Sequence, residues 1–166
     1  MSSRSLIVLP DDAAAPILGA VASAKKSLKI KMFVFSDPAL IDAVTVARSR
    51  GVKVQVMLNP ARRSGEEDNE ETRKKLLKAD VDVKDSNPAV DLTHEKSMVV
   101  DDSVAFVKSL NWETKNLTET RDYAVVTDHP QEVREILEGF EADWHRQTFT
   151  PRLLARTRCS ITTVSW

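Results

Sequence analysis

His94-Glu95-Lys96-Ser97-Met98-Val99-Val100-Asp101, followed after a short apolar run by Ser109-Leu110-Asn111, is the stretch from which the chain is best read. Val99, Val100, Val104, Phe106 and Val107 predict two short β-strands turned by Asp101-Asp102-Ser103. Side chains alternate along a strand, so His94 and Lys96 share one face, and Ser109 and Asn111 share one if the second strand reaches them. Neighbouring strands would bring all four polar groups to one anion. An imidazole is a competent nucleophile near pH 7, and its attack on a phosphodiester gives a covalent phosphohistidine. Lys96 holds a positive charge for the non-bridging oxygens, and Ser109 and Asn111 donate hydrogen bonds to the same oxygens. This chemistry asks for no metal and no other cofactor. A divalent-metal mechanism would want several carboxylates or histidines where the motif has a lysine.

His94-x-Lys96-x-x-x-x-Asp101 with Ser109-x-Asn111 downstream resembles the signature of the phospholipase D superfamily, and the order of elements resembles it over about residues 5–147. The resemblance implies a histidine nucleophile, a phosphate-binding lysine, and a serine and an asparagine lining the pocket. It also implies an acidic side chain that orients the histidine. Asp122 stands where the family usually carries glutamate, and Lys108 where it commonly carries glycine. A lysine at 108 is expected either on the rim of the site or in solvent. The implied fold is α/β, a mixed β-sheet sandwiched between helices.

Asp101 lies five residues after Lys96, which on a regular strand turns it to the other face. It is expected to be structural, its carboxylate bonding backbone N–H groups two residues on within the turn. In-line displacement needs a nucleophile on one side of phosphorus and a proton donor on the other, a task for two groups. Neither His129 nor His145 sits in a second H-x-K, and both fit the ends of a helix. Superfamily members pair two motifs, within one long chain or across a symmetric dimer. A homodimer is therefore expected, or a missing second half that bears the other motif.

The chain has 166 residues, 42% hydrophobic and 30% charged, which suits one globular domain with a real core. A net charge of −1 offers no global attraction to nucleic acid. The single cysteine, Cys159, excludes an intramolecular disulfide and a C-x-x-C metal site. No apolar run reaches the ~20 residues of a membrane span. Pro10-Asp11-Asp12 interrupts Leu6–Leu9 and spoils a secretory signal, so the expected address is cytoplasmic.

Leu6–Leu9 predicts a strand, then a helix capped by Asp11 or Asp12 through Lys26, then a strand over Leu28–Phe35. A helix from Pro38 carries Leu40, Ile41, Val44 and Ala47 and stops at Gly51. Val52–Leu58 alternates as a central strand. Glu66–Lys78 reads as a solvated helix, acids first and lysines last. Val81–Val83 and Asp122–Thr127 are strands, and Pro130–Arg146 is a closing helix with Trp144 in the core or an interface.

Arg62 and Arg63, after a strand's C-terminal end, are candidates for phosphate contact, and Asn87–Thr93 for a lip of the pocket. Residues 1–150 are expected to form the catalytic domain, with 151–166 a basic tail or the start of a second half. The expected function is a metal-independent phosphodiesterase or phosphatidyltransferase acting on phospholipid or nucleic-acid diesters. The alternatives are a single-motif endonuclease working as a dimer and a non-catalytic phosphate-binding half-module.

Overall fold

Alternating strands and helices build a single seven-stranded sheet in the computed structural model, which describes residues 3–60 and 69–151. In chain order the elements are β1 (Arg4–Leu9), α1 (Ala15–Ser23), β2 (Ser27–Met32), α2 (Pro38–Ser49), β3 (Lys53–Leu58) and α3 (Glu70–Lys78). They continue with β4 (Asp82–Asp85), β5 (Ser97–Val100), β6 (Val104–Lys108), α4 (Thr114–Thr118), β7 (Asp122–Thr127) and α5 (Pro130–Trp144). The strand order is β1-β7-β6-β5-β2-β3-β4. β2, β3 and β4 run parallel, as helical crossovers require, while the remaining neighbours are antiparallel. The sheet is mixed, as expected.

The larger core lies on the face covered by α1 and α2. Leu28, Ile30, Met98, Val100 and Phe106 from the sheet meet Ile17, Val21, Leu40, Val44 and Leu76 from the helices. Full burial of each such side chain is worth about 1.5–3 kcal/mol. α5 covers the other face, where Val133 packs on Val99 and Ala105, and Phe140 and Trp144 pack on Met57. Lys29 and Lys31 point to this second face and are 8% and 2% exposed. Lys31 pairs with Glu95 at 2.8 Å and Asp143 at 2.6 Å, and Lys29 with Asp102 at 2.6 Å and Glu141 at 3.5 Å. These pairs tie α5 to the sheet with buried charge that has to remain paired.

Local chemistry sets the element ends. The Asp37 carboxylate accepts from the Leu40 N–H at 3.0 Å and caps α2, with Pro38 following in the first turn. Beyond its far end Gly51 takes φ 88°, which favours glycine. The cap expected from Asp11 or Asp12 on α1 is not formed. α1 begins at Ala15 with no side-chain cap, Asp12 accepts from the Val8 N–H, and Asp11 pairs with Arg121.

Asp101 is in the turn between β5 and β6, but its carboxylate does not bond within that turn. It accepts from the N–H groups of Lys25, Lys26 and Ser27 at 2.7–3.1 Å, pinning the turn to the start of β2. Burial pushes its pKa up, and the N–H groups of Ser27, Lys26 and Lys25 more than offset this, leaving it below 3.8. Because the folded pKa is depressed, this contribution is complete above the unfolded value and is lost as pH falls through the folded one. Asp101→Ala should lower stability in urea at pH 7 by roughly 2–3 kcal/mol, from the lost charged acceptor and from alanine at φ 52°. The difference from wild type should shrink in strong acid; an equal difference at every pH would remove the carboxylate from this role.

Candidate active site

The motif residues sit where β5 begins and β6 ends. His94 and Lys96 precede β5, and Ser109 follows β6, so the predicted strands stop short of the polar groups. The ladder nevertheless continues one step further, with the Lys108 N–H donating to the Lys96 carbonyl at 2.9 Å. The Ser109 N–H donates to the Tyr123 carbonyl at 2.9 Å, fixing the serine beside the start of β7.

Lys96 is 4% exposed, and its ammonium lies 3.1 Å from each ring nitrogen of His94. It also donates to the His94 carbonyl at 2.9 Å. Phe33, just past β2, backs both groups: its ring centroid is 4.5 Å from that of His94 and 5.1 Å from the Lys96 ammonium. Desolvation, then the charge of Lys96, lowers the His94 pKa below 6.5 and holds an exposed imidazole neutral at neutral pH. Burial also lowers the Lys96 pKa, against the opposing pull of Asp122.

Ser109 donates to Asp122 Oδ1 at 2.6 Å, and Thr120 donates to Oδ2 at 2.5 Å. Both carboxylate oxygens are thus engaged, and within the described residues Asp122 makes no hydrogen bond to His94. The carboxylate instead faces the lysine and serine electrostatically. Asn111 donates to Glu113 at 3.0 Å, while its amide oxygen is buried without a hydrogen-bond partner among the described residues. His94, Lys96, Ser109 and Asp122 lie around one end of the β5–β6 pair in two contacting couples, His94–Lys96 and Ser109–Asp122, and Asn111 contacts neither couple by a described hydrogen bond.

The support for His94 comes from further away in sequence. Asn69, 2% exposed, accepts from the Phe35 N–H and donates to the carbonyls of Phe33 and Asn59, each at 2.8 Å. It knots together the chain leaving β2 and β3. Asn59 in turn accepts from the Thr93 N–H at 3.0 Å and holds the residue before His94. This bond anchors the end of the Asn87–Thr93 segment, next to His94 in the chain. No motif in the sequence singles out Phe33, Asn69 or Thr120. An asparagine just before a helix of charged residues was the available signal for Asn69, and it reads equally as a cap.

Lys108 is neither on a rim nor in solvent. It is 7% exposed, with its ammonium 4.9 Å from the centroid of the Trp112 ring. It follows Phe106 by two residues and so projects to the main core face. Arg62 and Arg63 lie outside the described residues. His129 and His145 flank α5, and His145 is 3.5 Å from Glu141. No described contact joins either to His94.

A family model described as "Cardiolipin synthase, PLD-like domain" matches residues 17–144, and the chain belongs to the phospholipase D superfamily. It is 31% identical over 156 residues to human mitochondrial cardiolipin hydrolase, covering 90% of this chain and 60% of that one. The mouse protein of the same name is 31% identical over 128 residues, covering 77% of this chain and 56% of its own. The chain thus spans little more than half the length of these relatives. Among solved structures, Nuc from Salmonella typhimurium, a phospholipase D family member, superimposes with a TM-score of 0.78. That match has 20% identity and covers 92% of this chain and all of Nuc. NucT from Helicobacter pylori gives a TM-score of 0.74 at 20% identity, covering 87% of this chain and 97% of NucT. At such identity the likeness is one of fold.

Proposed function

We propose that the chain is a phosphodiesterase of the phospholipase D type that works through a phosphohistidine on His94. The observation that carries this reading is the contact of a buried lysine with a neutral, exposed imidazole at 3.1 Å. A nucleophile and a cation for the phosphate oxygens are thereby adjacent before substrate arrives. Lys96, Ser109 and Asn111 form the phosphate clamp, with Arg62 and Arg63 as further contacts to the diester. Asp122 keeps the cation and the serine in place, and Asp101 is structural.

His94 attacks phosphorus as the bond to the leaving oxygen breaks, and that oxygen takes a proton from a second imidazole. Water then displaces His94 from phosphorus and gives its proton to the same imidazole. An alcohol in place of water gives transfer. A second copy of the chain, related by a two-fold axis, supplies the second imidazole, or else a second motif-bearing half does so. Residues 1–150 are the catalytic unit in this reading, with 151–166 a tail or the start of that half. The named activity of the mitochondrial relatives favours a phospholipid diester over nucleic acid. No described helix is long and apolar enough to cross a membrane. The proposed address is cytoplasmic; the relatives' name supplies a mitochondrial one, and cell fractionation separates the two.

Sedimentation of the purified chain, alongside turnover of bis-p-nitrophenyl phosphate in excess EDTA, tests the scheme. A dimer with chelator-resistant activity is expected. Loss in EDTA with rescue by a divalent ion would contradict it, and an inactive monomer would favour a half-enzyme or a phosphate-binding module. Cardiolipin vesicles and an oligonucleotide, assayed in parallel, then decide the diester.

A further inference from the structure

The residue that departs furthest from the site's other chemistry is Lys108, a cation buried beneath a group of cations and donors. Ser97 pairs with Val107, so the next step of the antiparallel register sets Lys96 opposite Lys108. The hydrogen bond between the Lys108 N–H and the Lys96 carbonyl, 2.9 Å, belongs to that step. Directly opposite residues leave the same face of a sheet, so the two lysines are side-by-side neighbours. The next residue along is Ser109. The Lys108 ammonium is buried without a hydrogen-bond partner among the described residues, against the face of Trp112 at 4.9 Å. Apart from that ring face and the charge of Glu95, a buried ammonium so placed lacks what ordinarily sustains its charge.

We propose that Lys108 is a positioning residue that couples anion binding to proton uptake: its amine gains a proton from solvent when an anion seats against Lys96 and Ser109. This rests on the phosphate-clamp reading above and gives Lys108 a role in that same site. In the free protein a charge on Lys108 would be buried without a hydrogen-bond partner among the described residues, on a backbone paired with that of Lys96. An anion in the clamp supplies the negative charge that Lys108 lacks, so the protonated form is stabilised when the site is filled. By linkage, protonation of Lys108 tightens anion binding to the same degree.

The surrounding titratable groups set the window. From the chain entering β5 come His94, Glu95 and Lys96, from the start of β7 Asp122, and from the segment after β6 Glu113, which is bonded to Asn111. Across the loop before α2, Asp37 is engaged by Leu40 and Thr114. Burial lowers the Lys108 pKa to about 7, opposed by the charge of Glu95. The folded free protein therefore holds this amine largely neutral above that pH, while His94 titrates below 6.5.

Calorimetric titration of the full chain with sulfate, whose charge is fixed across the range, tests the coupling. Runs at pH 8 in HEPES and in Tris, which differ in ionisation enthalpy, count the protons taken up. Wild type should take up a substantial fraction of one proton per sulfate at pH 8; at pH 6 Lys108 is already charged and any uptake belongs to His94. Its affinity should fall by up to about tenfold per pH unit above 7, the limit for one linked proton. Lys108→Met should lose both the uptake and this pH dependence, whereas Lys108→Arg, which stays charged, should bind sulfate with a flat profile. Sulfate binding by wild type without uptake at pH 8, or undiminished uptake in Lys108→Met, overturns the proposal and leaves the phosphate clamp standing. Failure of wild type to bind sulfate at any pH overturns the clamp, and this proposal with it. If Lys108→Met does not fold, the wild-type proton count alone decides.

Discussion

His94→Asn should abolish turnover, lowering kcat/KM by on the order of 10⁴-fold or more, as loss of a nucleophile does in enzymes that form covalent intermediates. That corresponds to about 5.5 kcal/mol of transition-state stabilisation. Asparagine keeps a polar group near Phe33 but cannot form the phosphorus–nitrogen bond. The imidazole is exposed and its ring contact is with a residue at the site's edge, so the core should be unaffected. Sulfate binding should survive within a few-fold, because Lys96, Ser109 and Asn111 remain. The same reading sets a pH profile for wild-type kcat/KM. A neutral and a protonated imidazole are both needed, and the His94 pKa is lowered, so the profile should be a bell whose acid limb lies below 6.5. A His94→Asn enzyme that retains appreciable turnover would end the nucleophile assignment.

Lys96→Ala should reduce kcat by about 10²–10³-fold, the usual cost of removing one preorganised group that stabilises charge in a transition state. Two effects add. The ammonium is removed from the phosphate oxygens, and the hydrogen bond that ties the side chain to the His94 carbonyl at 2.9 Å is lost. Lys96→Met, which keeps the stem against Phe33 and removes only the charge and its hydrogen bonds, separates both effects from the loss of packing. Lys74→Ala is the control. Lys74 lies exposed on α3 with Glu70 and Glu71 and should leave kcat/KM unchanged. Comparable losses at Lys96 and Lys74 would take Lys96 out of the clamp.

The features legible in the sequence are those set by neighbours in the chain. β7 occupies Asp122–Thr127 as the apolar pattern predicts, and α2 has its expected apolar face, with Pro38 at its start and Gly51 beyond its end. The β5–β6 turn at Asp101 also follows from local residue types. What escaped depends on residues distant in sequence. Lys29 and Lys31 alternate with apolar residues in β2, a strand pattern, but they meet Asp102, Glu95, Glu141 and Asp143 only once α5 folds back over the sheet. Asp101 has turn chemistry, but its hydrogen-bond partners belong to the start of β2. Lys108 reads as a surface residue until the register sets it between Lys96 and Ala124 and above Trp112. In the candidate site, residue types were readable and their contacts were not. The motif points to His94, Lys96, Ser109 and Asn111 and the resemblance adds Asp122, whereas only the fold reveals that Asp122 engages Ser109 and Thr120 and that Phe33 backs the histidine.

The most direct test is rapid quenching of a reaction with bis-p-nitrophenyl phosphate, followed by mass spectrometry of the denatured chain. A phosphohistidine scheme predicts one p-nitrophenyl phosphoryl adduct on His94, formed before steady state, stable to base and labile to acid. It should be absent from His94→Asn. Turnover at the full rate with no adduct on His94, under conditions where hydrolysis of the adduct limits the rate, would contradict the nucleophilic role on which the proposed function rests.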